Sequence, residues 1–81
     1  MFYIYVIKSL KDEKIYVGHT NDLRERIEQH NKGEVKSTHS RKPFKLVYYE
    51  ASNILEDAIK REKSLKTGFG RRYLKNRLSD I

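Results

Sequence analysis

Five polar side chains in this sequence have the types that phosphodiester chemistry uses: Tyr5, Tyr16, Arg26, His30 and Glu62. Cleaving such a bond takes an activated water, a charge clamp on the phosphoryl oxygens and help for the leaving oxygen. A guanidinium suits the clamp because its planar fork matches phosphate oxygens. A phenol becomes useful as a base only where nearby cations lower its pKa from about 10. A single carboxylate suits one Mg²⁺ or Mn²⁺ ion, which keeps several waters and borrows phosphate ligands. Zinc is a poorer match, since His19, His30 and His39 are scattered and there is no cysteine. Each residue also has a plainer explanation. Glu62 can pair with a neighbouring Lys or Arg, His30 can be a satisfied core histidine, and tyrosine is common in strands.

The elements that must position these residues follow from the hydropathy pattern. Residues 2–9 (FYIYVIKS) are β-branched or aromatic, with Phe2, Ile4 and Val6 on one face and Tyr3, Tyr5 and Ile7 on the other. Apolar faces on both sides predict a central strand. Ile15-Tyr16-Val17 resumes the pattern after Lys11-Asp12-Glu13-Lys14, which predicts a hairpin with Gly18 ending its second strand. An even loop places Tyr5 and Tyr16 on one face. Asp22 with Glu25 predicts a capped helix, and Asn31-Lys32-Gly33 its glycine stop. Residues 34–43 form a polar loop closed by Pro43, and Phe44 to Glu50 form a third strand. Asn53 with Glu56 predicts a second capping box on a helix running to about Thr67, and Gly70 to Leu78 a short third helix. The order is ββαβαα: an α+β fold with a three-stranded, mainly antiparallel sheet flanked by helices.

At about 100° per residue, Leu55, Ala58, Ile59 and Leu65 share one side of the second helix, and Glu62 projects into the middle of it. The first helix repeats the arrangement, with Leu23, Ile27 and His30 inward and Arg26 on the flank. Polar groups on apolar faces are costly unless paired or functional.

Length and charge set the remaining bounds. Eighty-one residues are expected to form one domain over 1–81, with 37% hydrophobic side chains for a modest core. The absence of cysteine excludes a disulfide framework and a thiol nucleophile. No apolar run reaches the roughly 18 residues of a membrane span, and the first ten residues do not read as a signal peptide, so a cytoplasmic protein without membrane contact is expected. Residues 1–59 hold 10 basic and 9 acidic groups, whereas 60–77 hold 8 basic groups and one acid, Glu62. That concentration predicts a polyanion partner, nucleic acid first, with Lys60, Lys63, Lys66, Arg71, Arg72 and Lys75 as its contacts. Charge alone distinguishes neither DNA from RNA nor a binding face from a solvated one.

The ordered set Tyr3-Ile4-Tyr5, Tyr16-Val17-Gly18, Asn21-Asp22-Leu23-Arg24-Glu25-Arg26, Gln29-His30-Asn31, Pro43 to Tyr48 and Ala58 to Lys63 resembles the GIY-YIG nuclease domain, in particular its small stand-alone bacterial members. The resemblance covers nearly the whole chain and implies the same ββαβαα fold. By it, Tyr16 is the general base or water-orienting group and Tyr5 supports it. Arg26 stabilises the phosphate in the transition state, His30 assists proton transfer or phosphate positioning, and Glu62 holds one Mg²⁺ or Mn²⁺. Gly18 allows close approach of backbone, and Asn76 is the nearby counterpart of an asparagine that follows the glutamate in some members. The implied activity is Mg²⁺-dependent hydrolysis of DNA, with branched or damaged DNA among the candidate substrates. Tyr3 stands where the family often has glycine. Homing and repair members carry a separate DNA-binding domain, so here the 60–77 stretch or a partner protein would supply targeting. The competing expectation is a catalytically idle module that binds nucleic acid or docks a partner.

Overall fold

The computed structural model describes residues 1–79. Three strands, β1 (Phe2–Ser9), β2 (Ile15–Thr20) and β3 (Phe44–Ser52), and three α-helices, α1 (Leu23–Asn31), α2 (Leu55–Leu65) and α3 (Gly68–Arg77), follow the ββαβαα order. The sheet is antiparallel in the order β2-β1-β3, so the most apolar strand is the central one.

Alternation along β1 divides the core into two layers. Ile4 and Val6 join Val17 and meet Ala58, Leu65 and Leu74 from α2 and α3. Tyr5 and Ile7 face the other way with Phe44, and Tyr16, Leu23 and Ile27 pack against them. The hairpin register pairs Ile7 with Tyr16 and Tyr5 with Gly18. Partners across strands share a face, so both motif tyrosines lie beneath α1, as the even loop requires.

Helix α1 begins where its sequence directs. The Asp22 carboxylate accepts the Glu25 backbone N–H at 3.1 Å. At the other end Gly33 has φ +78°, its N–H bonds to the His30 carbonyl at 3.2 Å, and the Glu34 N–H bonds to that of Gln29 at 2.9 Å. Those two bonds are a Schellman motif, which needs the left-handed backbone that glycine adopts most cheaply. Because both ends are fixed, the rotation of α1 about its axis is fixed, and so is the direction of Arg26 and His30.

Several boundaries differ from the sequence pattern: β3 runs two residues past Glu50 to Ser52, α3 spans Gly68–Arg77 in place of Gly70 to Leu78, and three other differences have clear causes. Strand β2 continues through Gly18 to Thr20, because the pairs Ile4–His19 and Tyr3–Thr20 extend the ladder. Asn53 does not cap α2; the N-cap position is Ile54, and the Ser52 hydroxyl accepts the Ile54 N–H at 3.2 Å instead. Helix α2 stops at Leu65 because Thr67 turns the chain into α3, its hydroxyl accepting the Gly70 N–H at 3.2 Å. The loop over 34–43 is also less polar in its packing than in its composition: Val35 and Thr38 are buried, and His39–Arg41 form a single 3₁₀ turn.

The α2–α3 corner has almost no spare space. A Cβ on Gly70 would stand 2.3 Å from both the Leu65 Cα and the Ser64 carbonyl oxygen. Backbone cannot retreat as a side-chain tip can, and overpacking of this kind costs about 1–3 kcal/mol. Gly70→Ala is therefore expected to lower the melting temperature by on the order of 10 °C, whereas Gly68→Ala, which meets nothing within 4 Å, should leave it within a few degrees. Thermal denaturation followed by circular dichroism checks both.

Candidate active site

The site grows from one buried imidazole. His30 lies on the inner face of α1 with no exposed surface, and its ring is flanked by Tyr16 at 5.1 Å, Tyr5 at 5.6 Å and Phe44 at 5.7 Å between centroids. Both ring nitrogens are engaged: Nε2 lies 2.8 Å from the Tyr5 hydroxyl, and Nδ1 lies 2.7 Å from the Thr38 hydroxyl. The Thr38 hydroxyl donates to the Val35 carbonyl, which can only accept, so it receives the proton carried by Nδ1. Nε2 is then the acceptor, and Tyr5 donates to it. Burial and the Arg26 charge push the His30 pKa from 6.5 down to about 4. The ring is neutral near pH 7.

Tyr5 is fixed by the same geometry. Its ring lies across Gly18, where a Cβ would come within 2.5 Å of the phenol oxygen and 2.7 Å of Cζ. The glycine of the Tyr16-Val17-Gly18 motif thus makes room for Tyr5, a neighbour within the chain. Burial raises the Tyr5 pKa, and the hydrogen bond and charge of Arg26 only partly offset that rise. A phenol that keeps its proton and donates a hydrogen bond to His30 is a positioning group. Tyr16, half-buried 6.4 Å from Tyr5 between ring centroids, is the phenol left free of that network.

Arg26 is half-buried on the flank of α1, and its Nη1 donates to the Gln29 side chain at 3.0 Å. It lines a groove of about 450 Å³ together with Gln29, Thr20, His19, Phe2 and Leu55. The groove joins the first turn of α1, the end of β2 and the start of α2. Glu62 reaches its edge from α2 through His19: Nδ1 of that histidine lies 2.5 Å from Glu62 Oε1, and Lys66 Nζ lies 2.8 Å from Oε2. Burial favours the protonated carboxyl, but Lys66 and His19 outweigh it and hold the Glu62 pKa below its usual range. Charges of both Arg26 and Glu62 act on the Tyr5 phenol. Residues 5, 16, 26, 30 and 62 therefore converge.

The basic stretch does not behave as one unit. Lys66 is committed to Glu62, and Lys60, Lys63 and Arg72 are exposed. Arg71 and Lys75 border a second cavity of about 670 Å³ with Lys14 and Arg41, at the hairpin end of the sheet. Asn76 is exposed on α3. Tyr3 packs edge-on against Tyr49 at 6.1 Å. His19 is the site residue that sequence reasoning passed over. It is half-exposed on a strand, with no helical periodicity to mark it, and its partner is 43 positions away.

The groove also has the donors a divalent cation would meet. Among the described residues no three His, Cys, Asp or Glu side chains cluster tightly enough to form a protein cage. Glu62, with a side chain 15% exposed at the groove edge, fits the other type of site, in which one carboxylate holds an ion that completes its shell with water and phosphate.

His30 gives the stability a defined pH dependence. Its folded pKa lies below the unfolded value of about 6.5, so between those values the unfolded chain binds the extra proton, and stability falls as pH drops from 6.5 towards 4. Thermal unfolding from pH 7 to pH 4 should show that loss in the wild type. The loss should be markedly smaller in His30→Gln, which is less stable at pH 7 but has no imidazole to charge.

Comparison with known proteins identifies the family. The model of the GIY-YIG catalytic domain matches residues 1–77. The UPF0213 protein of Staphylococcus saprophyticus is 40% identical over 74 residues, covering 90% of this chain and 89% of that one. The UPF0213 protein of Clostridium perfringens is 45% identical over 67 residues, covering 82% and 71%. The solution NMR structure of the UPF0213 protein from Bacillus halodurans superposes with a TM-score of 0.56 at 32% identity, covering 94% of this chain and 84% of that one. With its ordered motifs, its ββαβαα fold and a match over almost its full length, this chain belongs to the GIY-YIG catalytic domain family, whose domain is of the DNA-cleaving nuclease type.

Proposed function

We propose that this protein is a metal-assisted endonuclease that hydrolyses DNA phosphodiester bonds, branched or damaged DNA being the substrates to try first. The observation that carries the reading is that Arg26 and His19, the partner of Glu62, line one groove, that the charges of Arg26 and Glu62 both act on the Tyr5 phenol, and that Tyr16 lies 6.4 Å from Tyr5 between ring centroids. A phosphate in the groove meets the Arg26 guanidinium, a bidentate donor for two of its oxygens.

One ion of Mg²⁺ or Mn²⁺ at Glu62, when bound, would offset the charge of the phosphoryl oxygens and acidify a bound water. The rest is done by side chains. Tyr16 orients the attacking water and takes its proton as the phenol passes its own proton on to solvent. Tyr5 does not share that task, because its hydroxyl keeps its proton in a hydrogen bond to His30. His30 acts through Tyr5: with both ring nitrogens engaged inside the core, it positions the phenol and stays off the phosphate. Exposed cations of α2 and α3, namely Lys60, Lys63, Arg71, Arg72 and Lys75, hold the flanking strand through its phosphates. Binding of that kind is salt-sensitive and reads little sequence.

Supercoiled plasmid and branched oligonucleotides, incubated with Mg²⁺ or Mn²⁺, provide the assay. Glu62→Ala and Tyr16→Phe should each abolish nicking without changing the far-ultraviolet circular dichroism. Arg26→Ala should slow it by about 10²–10³-fold, as removal of a transition-state donor does elsewhere. Equal cleavage by wild type and the Glu62→Ala protein would contradict the assignment. Binding without cleavage on every substrate would leave an idle nucleic-acid module.

A further inference from the structure

A carboxylate-only site makes no use of His19, yet no other imidazole in the described residues touches a carboxylate. His30 has both nitrogens bonded within the core, and His39, in the 3₁₀ turn, meets no acid. His19 differs in three ways. It lines the same groove as Arg26, its Nδ1 points at Glu62 Oε1 from 2.5 Å, and its side chain is 37% exposed against 15% for Glu62. Lys66 holds the other oxygen, Oε2, which leaves Oε1 as the carboxylate atom turned to the imidazole.

A separation of 2.5 Å accommodates one shared proton. Two adjacent ligands of one divalent cation, each about 2.1 Å from it, stand about 3 Å apart. The difference is about half an ångström, which a half-exposed ring takes up by a small rotation. The neutral ring then carries its proton on Nε2, towards the solvent, and Nδ1 presents its lone pair. No net proton is gained or lost when the neutral ring binds, and Lys66 keeps the carboxylate monodentate.

We propose that His19 Nδ1 and Glu62 Oε1 together ligate the cation, forming an imidazole–carboxylate site that favours Mn²⁺ and the later first-row divalent ions over Mg²⁺. The inference rests on the reading of Glu62 as the metal ligand and adds a second donor to it. Its chemical basis is the ligand preference of the ions: Mg²⁺ takes oxygen and gives up water reluctantly, whereas imidazole suits transition metals. Waters and substrate phosphate oxygens facing Arg26 complete the shell.

The test is electron-spin-echo envelope modulation of Mn²⁺ added to the untagged full chain without DNA, paired with calorimetric titration of Mn²⁺ and Mg²⁺. Wild type should bind Mn²⁺ about ten times more tightly than Mg²⁺ and show ¹⁴N modulation from a directly bound nitrogen. His19→Gln should lose the modulation and about tenfold in Mn²⁺ affinity, with Mg²⁺ affinity changed less than twofold. Glu62→Gln should lose both ions. Mn²⁺ that depends on Glu62 but shows no ¹⁴N modulation, or is held equally by His19→Gln, overturns the role of His19 and leaves the Glu62 site standing. Mn²⁺ that does not bind, or is indifferent to Glu62→Gln, removes the Glu62 site and the His19 proposal with it.

Discussion

A neutral histidine, shut inside the smaller of two core layers, sets the geometry of the site. Its two nitrogens lie between Tyr5, 2.8 Å away, and Thr38, 2.7 Å away. One bond comes from the central strand and the other from the loop that follows α1, so the imidazole ties together three segments distant in sequence. A buried polar group left without a partner costs about 1–3 kcal/mol. Here every such atom is satisfied among the described residues. The network is therefore specific as well as stabilising: moving any of the three groups leaves another unpaired. Gly18 completes it by leaving room for the Tyr5 ring.

Around this fixed point, α1 and α2 divide the charge. Helix α1 presents Arg26 to the groove, its rotation set by the Asp22 cap and the Gly33 turn. Helix α2 sends two adjacent residues in different directions. Arg61 makes two bonds of 2.9 Å to Glu50 on β3 and lies 4.7 Å over the Tyr73 ring, which fastens α2 to the sheet and to α3. Glu62 goes the other way, to His19 and Lys66. An anion anchored by the Lys66 ammonium near its cleft remains ionised, which is the form both a metal and a nearby phosphate-binding guanidinium require.

Most of this frame was legible in the sequence because it rests on local rules. Alternation assigned the faces of β1, and the Asp22 and Gly33 signals placed α1 and hence the directions of Arg26 and His30. The inward position of Glu62 followed from helical spacing. What was not legible depends on contacts between distant segments. Asn53 is a good capping type, but Ser52, one residue earlier, makes the turn. Gly18 looked like a strand end, since the ladder beyond it depends on pairing with β1. His19 has no periodic signature, so its role emerges only when α2 is folded against β2. The basic stretch looked continuous because charge was counted along the chain, whereas folding pairs Lys66 with Glu62 and carries Arg71 and Lys75 to the hairpin end of the sheet.

The geometry of the site depends on the protonation of one ring, and nitrogen-15 NMR of the imidazole reads it directly. Long-range ¹H–¹⁵N correlation spectra of His30 recorded from pH 7.5 to pH 5 should show a single neutral tautomer, protonated at Nδ1 and bare at Nε2, that does not titrate across that range. A proton on Nε2, or a midpoint near the ordinary histidine value of about 6.5, would mean that Tyr5 is not the donor, and the arrangement of the site described here would be wrong.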